Sequence, residues 1–288
     1  MSMGEMTLAD LIRAALREDM PNGDLTTDSL GLAPRFGQAR LVAKQDMVLS
    51  GTAPFEQTMA ALDPATQVQW HFREGDRILN RQIICHVSGN LMQILKAERV
   101  ALNFVGHLSG IATLTRSFVD RVSHTSTKIL DTRKTLPAYR DLEKRAVAHG
   151  GGQNHRYNLS DAILIKDNHI MVSGGLRKAV ERIRANTQEP IEVECATLDD
   201  VREAIALGVE RALLDNMDDA TLAEAVRMAK AAPRPLATEA SGNMNLERVR
   251  RVAEIGVDYI SVGALTHSAP VADVSLLFDW QQSEMTGI

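Results

Sequence analysis

Residues 191–216, IEVECATLDDVREAIALGVERALLDN, decide the fold. An apolar run, Ile191–Glu194, leads into a helical stretch, Leu198–Leu207, and then into a second apolar run, Ala212–Leu214. Two strands joined by a helix-length crossover pair in parallel, with the helix covering a face of the sheet. The same alternation continues outward in both directions. Strand candidates Lys128–Asp131, Ala162–Ile165, Leu236–Thr238 and Tyr259–Val262 flank the central pair, and helical stretches Ala220–Ala231 and Leu246–Ile255 separate the later ones. Six strands within about 140 residues point to an α/β barrel, or a nearly closed one, rather than an open doubly wound sheet. No Gly-x-Gly-x-x-Gly fingerprint follows a strand, which argues against a dinucleotide-binding domain.

Upstream the pattern is different. Thr7 is a plausible cap for a helix over 8–19, with Leu8, Leu11, Ile12, Ala15 and Leu16 at helical spacing, and Pro21-Asn22-Gly23-Asp24 ends it. Short strand-like runs follow at Ala39–Leu49, Val68–Phe72 and Gln82–Val87, and residues 91–105 form a long apolar helix carrying Arg99. The division is a small α+β domain over 1–110 and a barrel domain over 111–269, with a tail, 270–288, that returns to pack on the first.

Composition narrows the function. The chain has 288 residues, 4% aromatic, with a formal charge of −5, so neither stacking platforms for single strands nor an overall polyanion-binding surface is expected. No nucleic-acid or membrane partner is predicted: no run of about 18 apolar residues is present, and no signal peptide is evident at the start. Cys85 and Cys195 lie in predicted strands without partners at metal-ligand spacing, as buried reduced thiols of a cytoplasmic protein would.

The strand ends carry the chemistry. Nearly every apolar run of the barrel stops at polar residues: Asp131-Thr132-Arg133-Lys134, Lys166-Asp167, Glu194, Asp215-Asn216, Glu239-Ala240-Ser241 and Gly263. In a parallel β/α barrel these ends meet at one mouth. Between Arg133 and Arg156 stand six cations and two acids, a local +4 in a chain of net −5. Arg133-Lys134 and His155-Arg156 flank strand ends and are the sharper ligand candidates, whereas Asp141, Lys144 and Arg145 read as the solvated face of a helix over 138–149. Arginine forks match carboxylate or phosphate oxygens in pairs, and lysine supplies a point charge. With Lys166 these cations demand a polyanion. On the other wall, Ser241-Gly242-Asn243 and Val262-Gly263-Ala264 close the last two strands, where barrels hold phosphate on backbone N–H groups. Glu194 and Asp215 lie between the walls and suit Mg²⁺ or ribose hydroxyls. Together these features describe a phosphorylated sugar lying across the mouth. His71, His86, His107 and His124 read as structural or surface residues, and His155 and His267 stay open between packing and ligand contact.

The words themselves resemble the quinolinate phosphoribosyltransferase (carboxylating nicotinate-nucleotide diphosphorylase) family, a type II phosphoribosyltransferase. The resemblance rests on Asp-Thr-Arg-Lys-Thr (131–135), Gly-Gly-Gly-Gln-Asn-His-Arg (150–156), Leu-Ile-Lys-Asp-Asn-His (164–169), Leu-Leu-Asp-Asn (213–216), Glu-Ala-Ser-Gly (239–242) and Ile-Ser-Val-Gly-Ala-Leu-Thr-His (260–267). Gly-Asp-Leu-Thr-Thr (23–27) and Ala-Glu-Arg-Val-Ala-Leu-Asn (97–103) extend it over nearly the whole chain.

The resemblance implies an α/β fold, an N-terminal α+β sandwich followed by an incomplete parallel barrel. It implies a pentosyltransferase that joins quinolinate to phosphoribosyl diphosphate with loss of CO₂, in NAD biosynthesis. By the same resemblance Arg133, Lys134, His155, Arg156 and Lys166 line the dicarboxylate and diphosphate region, with Thr132 beside them. Glu194 and Asp215 contact the ribose, or Mg²⁺ directly or as carried on phosphoribosyl diphosphate, and the Ser241 and Gly263 loops hold phosphate. Lys134, Lys166, Glu194 and Asp215 are the catalytic candidates. A homodimer is implied, with Arg99 entering the neighbouring active site, and a hexamer is left open. Leu136, Ala138 and Tyr139 depart from the usual Thr, Gly and Leu, which bears on the shape of the site entrance. The weighed alternatives are a related barrel transferase encoded with molybdate transporters, a non-catalytic nucleotide sensor, and a Schiff-base aldolase using Lys166, the last disfavoured by the surrounding acids.

Overall fold

In the computed structural model, which describes residues 6–279, the chain divides into two units. One comprises Met1–Leu114, Leu136–Gly150 and Ala269–Ile288; the other comprises Thr115–Thr135 and Gly151–Ser268. The elements run α1 (Leu8–Asp19), α2 (Leu25–Ser29), β1 (Phe36–Ala43), β2 (Met47–Val48), α3 (Thr52–Leu62), β3 (Gln67–Trp70), β4 (Arg77–Ile78), β5 (Ile83–Asn90) and α4 (Leu91–Val122). They continue β6 (Lys128–Leu130), α5 (Arg140–His149), β7 (Ile163–Ile165), α6 (Asp167–Ser173), α7 (Leu176–Arg184), β8 (Ile191–Cys195) and α8 (Leu198–Leu207). The last are β9 (Arg211–Asp215), α9 (Asp219–Ala231), β10 (Ala237–Ser241), α10 (Arg248–Ile255), β11 (Tyr259–Ser261), α11 (Ala264–His267) and β12 (Val274–Phe278).

The first unit is built on an antiparallel sheet in the order β12-β1-β5-β3. Alternate residues of its central strands, Ala39, Leu41, Cys85 and Val87, are fully buried, as the two-residue repeat of a strand requires when one face meets the core. Phe55 and Met59 of α3 and Ile94, Ala97, Ala101 and Val105 of α4 belong to the same core cluster. The single strand expected over Ala39–Leu49 is two, because Arg81 donates its N–H to Ala43 O at 2.8 Å and the chain turns at polar Lys44–Asp46. The tail returns as β12 on β1, and the part of it beyond residue 279 lies outside the described residues.

Helix α4 runs far past the expected residue 105, so the anticipated boundary at 110 falls inside it. Its buried stripe continues through Leu108, Ile111, Ala112, Phe118 and Val122. Gly110 does not end the helix; it admits a neighbour. A Cβ there would stand 2.0 Å from Pro270 O, and Ala272 N donates to Gly106 O at 2.9 Å.

The contacts assign Leu136–Gly150 to the first unit, where the sequence reading kept it with the barrel. Tyr139 stacks on Phe104 with centroids 5.9 Å apart, and Glu143, fully buried, accepts from His107 Nε2 at 2.9 Å and Leu136 N at 3.3 Å. Lys144 is 1% exposed, which corrects its reading as a surface residue; α5 buries Leu142, Ala146 and Val147 as well, leaving Asp141 and Arg145 to pair outside at 2.9 Å. Ala138 sits at φ 65°, a left-handed conformation that costs an L-residue roughly 1 kcal/mol. Ala138→Gly is therefore expected to stabilise the protein by about 0.5–1 kcal/mol. An unchanged denaturation midpoint would show that the neighbouring backbone already absorbs the strain.

The second unit carries six parallel strands in the order β6-β11-β10-β9-β8-β7. The first strand in sequence pairs with the last, as in a sheet curling into a barrel, while β6 and β7 remain its two edges. Gln153 lies along the β6 edge, donating to Ile129 O at 2.8 Å and accepting from Asp131 N at 3.1 Å.

Candidate active site

Strand parity builds the interior of the barrel. Leu164 and Lys166, Glu194, Leu213 and Asp215, Glu239 and Ser241, and Ser261 and Gly263 fall two apart along their strands, and all of them line one cavity of about 870 Å³. Thr132, Arg133, Lys134, His155, Arg156, Gly242, Asn243, Val262 and Ala264 line it too. Every site residue expected of the barrel is thus in the same cavity. Arg99 belongs to the first unit, exposed on α4.

The basic side is held by a buried acid. Asp131, fully buried at the end of β6, accepts His155 N–H at 2.8 Å and Asn154 Nδ2 at 2.6 Å, which fixes the loop carrying His155 and Arg156. Arg156 Nη1 donates to Ala162 O at 3.0 Å. Burial, with the like charge of Arg133 added, pulls the Arg156 guanidinium below its ordinary value. Two crowded cations are an arrangement that an anion relieves. Lys134 is anchored through its backbone, its N–H donating to Thr132 Oγ1 at 3.1 Å and its carbonyl accepting from Thr266 Oγ1 at 2.7 Å. Its stem passes Gly263, so that a Cβ on that glycine would meet Lys134 Cδ at 3.2 Å.

Lys166 Nζ is 3.6 Å from Glu194 Oε2. Burial lifts the Glu194 carboxyl above its ordinary value; Lys166 opposes this, and the negative charges of Asp215 and Asp167 reinforce it. Hard carboxylate oxygens under mutual repulsion suit a divalent cation that completes its shell with substrate oxygens. The donor set of Glu194 and Asp215 therefore fits Mg²⁺.

A layer below the rim lies a cluster that the sequence reading did not isolate. The expected strand Leu236–Thr238 is in fact Ala237–Ser241, so Glu239 is an interior residue with no exposure rather than a strand-end carboxylate. Parity alone, counted back from Glu194, Asp215 and Ser241, would have found Glu192, Arg211 and Glu239. His155 Nε2 stands 3.3 Å from Glu192 and 3.4 Å from Glu239, while Arg211 Nη1 is 3.1 Å from Glu239 and its guanidinium stacks 4.3 Å over Tyr259. His155, Glu192 and Glu239 are the one group of three potential metal ligands among the described residues, yet Arg211 already supplies the positive charge there.

Burial raises the Glu192 carboxyl. It works the same way on Glu239, but His155, Ser261 and Arg211 hold that group below its usual range. For His155 burial disfavours the charge, and the two glutamates overcome this, pushing its pKa up to about 9. A second ring proton would displace the bond from Arg156 N–H to His155 Nδ1, 2.7 Å long. A pKa raised on folding means stability that is full below the unfolded value of about 6.5 and is lost as pH rises through about 9. The unfolding temperature of the wild type should fall across that window, and the fall should be shallower in His155→Gln. Equal slopes would show that another group titrates.

Across the cavity the loops after β9 and β10 are fastened together. Asn216 N donates to Ser241 O at 3.0 Å, Asn243 Nδ2 to Asn216 Oδ1 at 3.3 Å, and Asn216 Nδ2 to Asp215 Oδ2 at 2.7 Å. Asn216 and Asn243 both adopt positive φ, 53° and 49°. His267, left open by sequence, lines the cavity, with Nδ1 on Ser268 Oγ at 2.6 Å and Nε2 toward Gly263.

Two family models cover the chain: the quinolinate phosphoribosyl transferase N-terminal domain over residues 24–109 and its C-terminal domain over residues 111–277. A mitochondrial decarboxylating quinolinate phosphoribosyltransferase, 2b, of Nicotiana tabacum is 39% identical, spanning 94% of this chain and 82% of its own. The chloroplastic carboxylating nicotinate-nucleotide pyrophosphorylase of Arabidopsis thaliana is 39% identical, spanning 94% and 83%. The solved nicotinate-nucleotide pyrophosphorylase of Francisella tularensis superposes with a TM-score of 0.90 at 37% identity, covering 94% of this chain and 96% of that one.

Proposed function

Because the chain belongs to the quinolinate phosphoribosyltransferase family, we infer that it transfers the phosphoribosyl group of phosphoribosyl diphosphate to the ring nitrogen of quinolinate, giving nicotinate mononucleotide, CO₂ and diphosphate for NAD synthesis. The observation that carries this reading is one cavity lined together by Arg133, Lys134, Arg156 and Lys166, by Glu194 and Asp215, and by the Ser241–Asn243 and Val262–Ala264 loops. Neither a molybdate-linked transferase nor a nucleotide sensor gains support from the relatives. For an aldolase, the ion pair of Lys166 with Glu194 is the wrong setting, since a Schiff-base lysine needs a sparse apolar pocket.

Arg133, Arg156 and Lys166 grip the two carboxylates of quinolinate and aim its nitrogen at C1 of the ribose, while His155, bonded through Nδ1 to Arg156 N–H and through Nε2 to the glutamates below, sets the loop that carries Arg156. Lys134, beside Gly263, and the N–H groups of Gly242, Asn243, Gly263 and Ala264 take phosphate oxygens; Thr132, Ser241 and Val262 shape that wall. Glu194 and Asp215 hold the ribose hydroxyls; the same two carboxylates would hold Mg²⁺, which when bound would supply positive charge to the leaving diphosphate. The C1–O bond to diphosphate breaks as the N–C1 bond forms, and fixed cations favour that charge-separated transition state over the ground state. Loss of CO₂ leaves the electron pair of the broken C–C bond on the ring carbon, where the adjacent positive nitrogen stabilises it, and that carbon then takes a proton from solvent. No covalent nucleophile is needed.

We assign Arg99 to the active site of a second copy in a homodimer; its exposure on α4 and the family resemblance support this. The buried free thiols Cys85 and Cys195 suit the reducing cytoplasm. Among the described residues no helix is long and apolar enough to cross a membrane. Incubation with quinolinate, phosphoribosyl diphosphate and Mg²⁺ should release CO₂ and form nicotinate mononucleotide. No product, or equal product from nicotinate, would overturn the assignment.

A further inference from the structure

Arg248, the first residue of α10, is absent from the cavity lining, yet it straddles the loops that follow β9 and β10. Its Nη1 donates to Gly242 O at 3.0 Å and its Nη2 to Met217 O at 2.6 Å, while Nε faces Asp219 at 3.9 Å. Its side chain is only 19% exposed. Met217 follows Asp215 and Asn216 on the β9 loop; Gly242 lies between Ser241 and Asn243 on the β10 loop. One planar group thus spans the loop bearing the ribose carboxylate and the loop bearing the phosphate N–H groups. A guanidinium can do this because its donors diverge at fixed angles; an ammonium has no such fork.

The fastening also works from the cavity side, through Asn216 N to Ser241 O and Asn243 to Asn216. Between these ties and Arg248, the peptide units at Met217 and Gly242 are held on both flanks. Asp219 in turn pairs with Arg251 at 3.1 Å, so the guanidinium is itself oriented from α9 and α10.

We propose that Arg248 is a positioning residue that sets the span between the Asp215 carboxylate and the Ser241–Asn243 loop, and with it the affinity for the phosphoribosyl half of the reaction alone. The inference rests on the phosphoribosyl reading of this cavity. It concerns no atom that touches substrate. Quinolinate, gripped from the β6 and β7 side, gains nothing from the clamp.

The test separates the two substrates. In Arg248→Lys and Arg248→Ala the KM for phosphoribosyl diphosphate should rise at least about tenfold, the loss of roughly one well-made charge-assisted bond. The KM for quinolinate should stay within about twofold of wild type. Methylguanidinium added to Arg248→Ala should recover part of the loss, whereas the lysine variant, charged but unforked, should not behave as wild type. Equal rises in both KM values, or an unchanged KM for phosphoribosyl diphosphate, would overturn the proposal. Should the alanine variant not fold, the lysine variant carries the same expectations. Calorimetric binding of ribose 5-phosphate needs no turnover: an inactive wild type would remove the functional reading, while a weakened affinity in Arg248→Lys would still speak for the clamp.

Discussion

Gly242→Ala is expected to lower kcat/KM for phosphoribosyl diphosphate by about 100-fold or more, the scale of a displacement near 1 Å in a positioned site. Gly242 has φ 94°, where an L-residue is strained, and its added Cβ would lie 2.1 Å from Asn216 Oδ1 and 3.1 Å from Asn216 N. Asn216 cannot simply swing away. Its side chain bonds Asp215 and Asn243, so relief of the clash moves the ribose carboxylate or opens the phosphate loop. Steady-state kinetics with each substrate varied in turn would show it, with the quinolinate KM little changed. Adding Asn216→Gly removes the side-chain collision and should return part of the activity. A single variant with wild-type kinetics would mean that the loop is not held as described.

The second large effect is on the other wall. Arg133→Ala should reduce kcat/KM by about 10²–10³-fold through the quinolinate term. Two charge-assisted bonds from one fork contribute about 3–5 kcal/mol, and each 1.4 kcal/mol is tenfold. Arg133→Lys restores the charge but not the paired geometry, and is expected to recover only part of the loss. Circular dichroism and the unfolding temperature should be near wild type, since Arg133 is a half-buried residue lining the cavity and not part of the apolar core. Normal quinolinate kinetics in Arg133→Ala would take the arginine out of the site.

The barrel was legible because its signal is local: each apolar run followed by a helix declares a parallel crossover, and the residue where each run stops declares the mouth. What escaped has a different cause in each case. The sequence does not show that α4 continues past residue 105, because the role of Gly106 and Gly110 lies in a remote contact, the close approach of the 270–272 segment. Lys144 reads as solvated from sequence because lysines usually are, and only tertiary packing reveals its burial. The polar Glu239 ends the apolar run of β10 in the sequence, although the strand continues to Ser241; the partners that let it lie inside, Arg211 and His155, come from remote sequence. Arg248 gave no signal, since a bond to a loop carbonyl depends on where that loop runs.

The inner layer of the barrel has an evolutionary consequence. His155, Glu192, Arg211 and Glu239 cancel one another's charge in a largely buried layer, so losing any one strands the rest, at a penalty of about 3–5 kcal/mol. Such positions cannot drift one at a time. Lineages of this fold should change substrate by exchanging rim residues above an inherited quartet, or replace the quartet wholesale, with few viable intermediates between the two.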